Sequence, residues 1–205
     1  MSERPYIGVT GAASVKEVNQ LMRTFTSFGF NLESSHLPMV GFLVSQKTLS
    51  GQAGNLRYPK VENLTALLEA TKGLTFNTIH YNLSRGSGEV LPEARSHPTL
   101  THQIAALFNR GIYADNLCRG VQLNIVWPSP DQIKNVINLL PDLKIILQLS
   151  QGCLVDPPTQ VVDRLGEYAD LIQYALLDPS AGKGQVFSAR SIYLIMNKLN
   201  LYIRR

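Results

Sequence analysis

The chain has 205 residues, 44% of them hydrophobic and 17% charged, the make-up of a single globular, enzyme-like domain with one sizeable core. Its net charge of +4 comes from Lys and Arg scattered along the chain rather than clustered among aromatics, which excludes nucleic acid as an expected partner and fits a small anionic ligand. Two cysteines without paired spacing, Cys118 and Cys153, exclude a metal knuckle or disulfide framework and suit a reducing compartment, and no apolar run approaches the ~20 residues of a membrane helix, so the chain reads as soluble and cytoplasmic.

In chain order, Tyr6 to Thr10 reads as a short strand ending at Gly11. Ser14 and Glu17 have capping-box spacing, and Val15, Val18, Leu21, Met22, Phe25 and Phe28 make one helical stripe. Met39 to Val44 is the second strand, followed by a long polar loop from Ser45 to Tyr58. Pro59 suits the first turn of a helix that buries Val61, Leu64, Leu67 and Leu68 and stops at Gly73. Leu74 to Tyr81 is the third strand; it leads to Asn82 and a glycine-containing loop, and a helix from about Thr99 to Arg110 stops at Gly111.

The fourth strand, Val121 to Trp127, puts Val121, Leu123 and Ile125 on one face and Gln122 and Asn124 on the other. Ser129 and Pro130 open the next helix as cap and first residue, with Ile133, Val136, Ile137 and Leu140 as its stripe. Lys144 to Leu149 is strand five, with Gln148 a lone polar residue among aliphatics, and a short helix follows near Thr159 to Tyr168. An apolar strand from Leu171 to Leu177 runs into Asp178, then a loop with Gly182 and Gly184, then a helix with Ile192, Ile195, Met196 and Leu199.

Strands that alternate with amphipathic helices require parallel, right-handed crossovers. A doubly wound sheet favours continuously apolar strands, whereas a barrel tolerates polar residues in the upper layer of its interior. His80, Gln122, Asn124 and Gln148 suit that interior, so the expected fold is an α/β TIM barrel: one domain over residues 1–205 with six recognisable βα units.

Several stretches resemble a known family. IGVTG at the first strand, Gly41-Phe42 in the second, VQLN in the fourth and LLDPSAGKGQVF at the sixth are similar to phosphoribosylanthranilate isomerases. They are more similar still to a poorly characterised family of TIM barrels beside those isomerases, which carries elements like Arg57 to Lys60, Ile79 to Asn82 and Gln122 to Pro128. The resemblance implies a TIM barrel and isomerase or lyase chemistry on a small phosphorylated metabolite. It does not extend to the isomerase's cysteine base, because the first strand here, Tyr6-Ile7-Gly8-Val9, has no thiol. Such families continue past the sixth helix into two further units that bind the substrate phosphate. This chain is therefore expected to be incomplete at its C-terminus, with exposed strand edges through which copies of it could associate.

Barrel enzymes place their chemistry at the carboxyl ends of the strands, which selects Asp178 and His80 as candidate acid–base residues. A cap or turn residue ahead of Pro179, and a hydrogen-bonded structural histidine, are the respective alternatives. Asn82, beside His80 at that strand end, joins Gln122, Asn124 and Gln148 as groups that would orient a polar substrate; satisfied interior polar residues are the alternative. Ser180, Gly182, Lys183 and Gly184 offer backbone amides and an ammonium to an anion, though GKG alone lacks P-loop spacing. Arg57 offers a cation from the second loop, against the alternative of a solvated surface charge. No metal and no organic cofactor is expected, since neither ligand spacing nor a dinucleotide fingerprint occurs. Two readings stay open: an enzyme-like barrel, or a non-catalytic barrel remnant that serves as a binding or scaffold protein.

Overall fold

A computed structural model describes residues 4–51, 55–83, 100–178 and 192–197. Their elements run in chain order as β1 (Tyr6–Thr10), α1 (Val15–Ser27), β2 (Leu37–Ser45), α2 (Gln46–Leu49), a 3-10 turn (Val61–Asn63), α3 (Leu64–Glu69), β3 (Phe76–Asn82), α4 (Leu100–Phe108), β4 (Gly120–Asn124), α5 (Pro130–Leu139), β5 (Lys144–Ser150), α6 (Gln151–Leu154), α7 (Pro158–Gly166) and β6 (Tyr174–Asp178). Residues 192–197 are helical.

The strands form one parallel sheet in the order β1-β2-β3-β4-β5-β6. Each strand lies beside its predecessor in sequence, so the winding never reverses. A doubly wound sheet has a point where the order switches; this one has none and curls in a single sense. The curl brings its two ends together. Tyr6 on β1 and Tyr174 on β6 pack edge to face with ring centroids 5.2 Å apart, and the Tyr174 hydroxyl donates to the Arg4 carbonyl at 2.9 Å. Phe76 of β3 lies 6.2 Å from Tyr6 and 6.1 Å from Tyr174, so three aromatic rings fill the interior at the amino ends of the strands. Room for Phe76 comes from Gly120 on the adjacent strand, where a β carbon would lie 2.7 Å from the ring.

The outward residues of the strands make the main core. Val40, Phe42, Val44, Ile79, Tyr81, Val121, Leu123, Ile145, Leu147 and Leu149 are buried together with helix residues that include Val18, Leu64, Leu68, Ile104, Phe108, Ile133, Val136, Val161 and Leu165. Each such side chain contributes on the order of 1.5–3 kcal/mol when fully buried. Most polar strand residues therefore take inward positions, while outward-facing Asn77 is satisfied by donating to the Leu68 and Leu117 carbonyls, and the alternation Gln122/Leu123/Asn124 follows from the two-residue period of a strand.

The α1 capping box forms as its spacing requires: the Glu17 amide donates to Ser14 Oγ at 3.3 Å, and Glu17 Oε2 accepts from the Ser14 amide at 3.0 Å. Gly73 and Gly111 take the left-handed conformation (φ +72° and +81°) just past their helices. Several boundaries differ from expectation. Only Val18 and Phe25 of the α1 stripe are buried, while Val15 and Phe28 are exposed, because they lie at the flanks of the face that meets the sheet. The polar loop after β2 begins with a helical turn, α2, because Ser45 and Thr48 make a capping box of their own. The helix expected from Pro59 opens instead as the 3-10 turn and reaches α geometry only at Leu64.

β4 ends at Asn124 rather than Trp127, since the backbone turns there and Trp127 is itself left-handed (φ 46°). Ser129 precedes α5 without a side-chain capping bond, and Pro130 alone marks the start. α6 was not expected. Leu171 and Ile172 belong to a turn closed by their amides onto the Tyr168 carbonyl, so β6 starts only at Tyr174. Among the described residues no helix is long and apolar enough to cross a membrane.

Candidate functional site

The curled sheet encloses an open cavity of ≈ 500 Å³ that runs from Tyr6, Gly8 and Met39 in the amino halves of β1 and β2 up to the carboxyl ends of the strands. Inward positions of every strand contribute. Thr10 comes from β1, Leu43 from β2, His80 and Asn82 from β3, Gln122 and Asn124 from β4, Gln148 from β5, and Leu176 and Asp178 from β6. Register sets them side by side: His80 opposes Gln122 and Asn82 opposes Asn124 across the β3–β4 pair, while Gln148 opposes Leu176 across β5–β6.

A hydrogen-bonded line crosses the interior. Gln148 Nε2 donates to Asp178 Oδ2 at 2.7 Å, and Gln122 Nε2 donates to Gln148 Oε1 at 2.8 Å. The same Gln122 nitrogen lies 3.4 Å and 3.5 Å from the two ring nitrogens of His80. Both glutamines are buried. Burial lowers the His80 pKa to about 4 and the Arg57 charge pushes the same way, while the Gln148 amide and the Asp178 carboxylate oppose the change. His80 is therefore a neutral imidazole at pH 7.

Arg57 reaches the cavity from the loop after α2. That loop is set by Asn55, whose Oδ1 accepts from the Arg57 amide at 2.9 Å and whose carbonyl accepts from the Tyr58 amide at 2.9 Å. Arg57 Nη2 donates to the Thr10 carbonyl at 3.3 Å, and the guanidinium fills the space left by Gly11, where φ is +94°. Tyr58 leans the other way, with its hydroxyl 3.5 Å from Asn82 Nδ2. The turn thus spans from β1 to β3 above the pocket.

Asn82 Oδ1 and Asn124 Oδ1 are both buried with no partner among the described residues. An unmet buried acceptor costs about 1–3 kcal/mol, which an apolar residue would have avoided.

Of the residues selected from sequence, His80, Asp178, Asn82, Gln122, Asn124, Gln148 and Arg57 all line this one cavity. Ser180, Gly182, Lys183 and Gly184 lie outside the described residues, as does the loop after Leu83. Sequence reasoning missed Tyr58, Asn55 and Thr10. Asn55 carried a signal, since an Asn in a polar loop commonly closes an Asx turn onto the backbone amide two residues on, here that of Arg57.

Trp127 does not face the cavity. It stacks on Tyr168 at 6.0 Å, with the Arg164 guanidinium of α7 5.4 Å from its ring. Neither cysteine faces the cavity: Cys118 precedes β4 and donates to the Asn77 carbonyl at 3.1 Å, and burial pushes its thiol up to about 12. Cys153 sits on α6 and is raised by burial as well. Among the described residues no three His, Cys, Asp or Glu side chains gather as a metal centre would require. A second hollow of ≈ 480 Å³ lies at the opposite end, between Met22, Phe25, Phe30 and Leu74, and holds one titratable side chain, Glu33.

No protein-family model matches the chain, and no curated protein matches it. Among solved structures, the phosphoribosyl anthranilate isomerase from Thermococcus kodakaraensis superposes with a TM-score of 0.55 over 95% of this chain and 72% of that one, at 12% sequence identity. The fold is a phosphoribosyl anthranilate isomerase-like TIM barrel. Six of its strands lie within the described residues. At that identity the likeness is one of fold, and the chemistry has to be argued from the cavity.

Proposed function

We propose that this barrel binds a small phosphorylated metabolite in the cavity above its strands and acts on it as an isomerase or lyase. The observation that carries the reading is the convergence of Asp178, His80, Arg57 and four amides on one ≈ 500 Å³ cavity at the end of the strands where barrel enzymes work. Arg57 supplies the charge for an anionic group, together with the stretch from Ser180 to Gly184. Asp178 is the group that moves a proton. Held neutral, His80 suits the polarisation of a carbonyl by an uncharged imidazole better than acid catalysis by an imidazolium. Asn82, Asn124, Gln122 and Gln148 orient the hydroxyl and carbonyl groups of the substrate.

A second reading, a binding protein without turnover, is favoured by one observation: among the described residues that line the cavity none is a thiol, and the one histidine is held neutral. Assaying the chain against a panel of sugar phosphates separates the two. Turnover that Asp178→Asn abolishes with the fold intact supports the enzyme; ligand binding without turnover supports the binder.

Self-association through the sheet edges is also part of this proposal. On the outward face of β1, Ile7 and Val9 are 42% and 39% exposed, an apolar edge that a partner strand or helix would cover. Sedimentation of the purified chain measures it directly.

A further inference from the structure

Two non-glycine residues among those described have a left-handed backbone, Asn116 at φ 56° and Trp127 at φ 46°. Asparagine enters that region readily, whereas a bulky aromatic residue there is a steric outlier. Glycine would make the same turn without the clash. Trp127 carries a second cost, because its indole Nε1 is buried with no partner among the described residues. A strained conformation of this kind persists only where the surroundings over-determine it.

The surroundings do so through α6, α7 and the residues just past it. The indole stacks on Tyr168, and the Arg164 guanidinium beside it is itself paired with Asp156 at 3.1 Å. The Tyr168 hydroxyl donates to the Pro128 carbonyl at 2.6 Å. Val126 seats against Gly152 of α6, where a β carbon would lie 2.9 Å from Val126 Cγ2. Three successive residues after β4 are thus fastened to the elements that follow β5.

Asn124, three residues before Trp127, is the last residue of β4 and part of the cavity wall. Its backbone pairs with β3 opposite Asn82, while the β4–β5 ladder ends at Leu123. Asn124 Oδ1 has no partner among the described residues, whereas Asn82, Gln122 and Gln148 are each tied by a side-chain hydrogen bond. Where Asn124 points is therefore set by its backbone, and the next fixed stretch of that backbone is the Trp127 turn.

We propose that Trp127 and Tyr168 form a clamp that holds Asn124 in the single rotamer it presents to the cavity. Both are then positioning residues for the site, since neither is among the residues that line the cavity. The clamp accounts for a tryptophan where glycine would turn the chain freely. Glycine has no ring to fasten, and the turn would be loose where Asn124 needs it fixed. That Asn124 meets a ligand rests on the reading of the cavity as a binding site; the clamp is a property of the chain without ligand.

The rotamer of Asn124 can be read by NMR in the full chain, from the couplings of its α proton to its two β protons. In the native chain these should take the values of one staggered rotamer. Trp127→Gly keeps the left-handed turn accessible and removes the ring, and should move both couplings to the average over several rotamers. Val18→Ala opens a void under α1, away from the clamp, and should leave them unchanged. That variant separates the clamp from a general loosening of the fold. Averaged couplings in the native chain, native couplings in folded Trp127→Gly, or equal averaging in Val18→Ala would overturn the clamp. Should Trp127→Gly fail to fold, Tyr168→Phe decides by the same readout, because it keeps the stacked ring and removes only the bond to Pro128. No ligand enters the measurement, so the clamp stands or falls apart from the reading of the cavity as a binding site.

Discussion

Gly11 leaves open the space that the Arg57 guanidinium fills: a β carbon at residue 11 would lie 2.6 Å from Arg57 Nε and 2.7 Å from Nη2. The pairing joins the end of β1 to the loop after α2 and fixes where the cavity's cation stands. Gly11→Ala carries two penalties. The left-handed backbone costs an L-residue roughly 1–2 kcal/mol, and the guanidinium must move aside. Arg57→Met carries only the second effect, because Arg57 is exposed. We expect both variants to lose affinity for phosphate by titration calorimetry, while chemical denaturation shows a stability loss of about 1–2 kcal/mol for Gly11→Ala alone.

The lowered pKa of His80 makes stability depend on pH with a definite sign. Between about pH 6.5 and about 4 the unfolded chain takes up a proton that the folded chain refuses, so stability falls as the pH falls through that window. Above the window the group contributes nothing to the slope, and below it the slope vanishes again. The integrated loss is on the order of 3 kcal/mol. Urea unfolding from pH 7 to pH 4 should show this loss in the native chain and a shallower one in His80→Gln.

At the other end of the barrel, the Tyr6, Phe76 and Tyr174 rings hold the first and last strands together. Tyr174→Phe keeps the rings and removes the hydroxyl that reaches Arg4, an expected loss of about 1 kcal/mol or less. Tyr174→Ala removes the ring as well and should cost roughly 2–4 kcal/mol, since it opens a void between β1 and β6. Equal melting temperatures for these two variants would mean that the ring cluster does not hold the seam.

Burial and raised pKa values make both thiols inert. Native protein incubated with iodoacetamide at about pH 8 should stay unlabelled at Cys118 and Cys153, and both should react once urea unfolds the chain, as read by mass spectrometry.

The barrel was legible because its signals are periodic. Alternation in β4 separates Gln122 and Asn124 from their aliphatic neighbours, and the same two-residue period puts His80, Gln148 and Asp178 on the inner face, where they converge. What stayed hidden depends on geometry that no spacing encodes. The exposure of Val15 and Phe28 follows from how narrow the buried face of α1 is, centred on Val18 and Phe25. The early end of β4 follows from a left-handed Trp127, a conformation no β-branched or aromatic pattern announces. Tyr58 and Thr10 became visible as site residues only when the turn after α2 was seen to span from β1 to β3. The polarity of the amide line could not be read at all until the carboxylate at its end was placed 2.7 Å from Gln148.

Thermal unfolding of the purified chain, repeated against inorganic phosphate and a panel of sugar phosphates, tests the central claim most directly. The account predicts one sharp transition that a phosphorylated ligand raises further as its concentration grows, and a response that Arg57→Met loses while melting normally without ligand. A sharp transition indifferent to every ligand, or an Arg57→Met variant that responds as the native chain does, would contradict it.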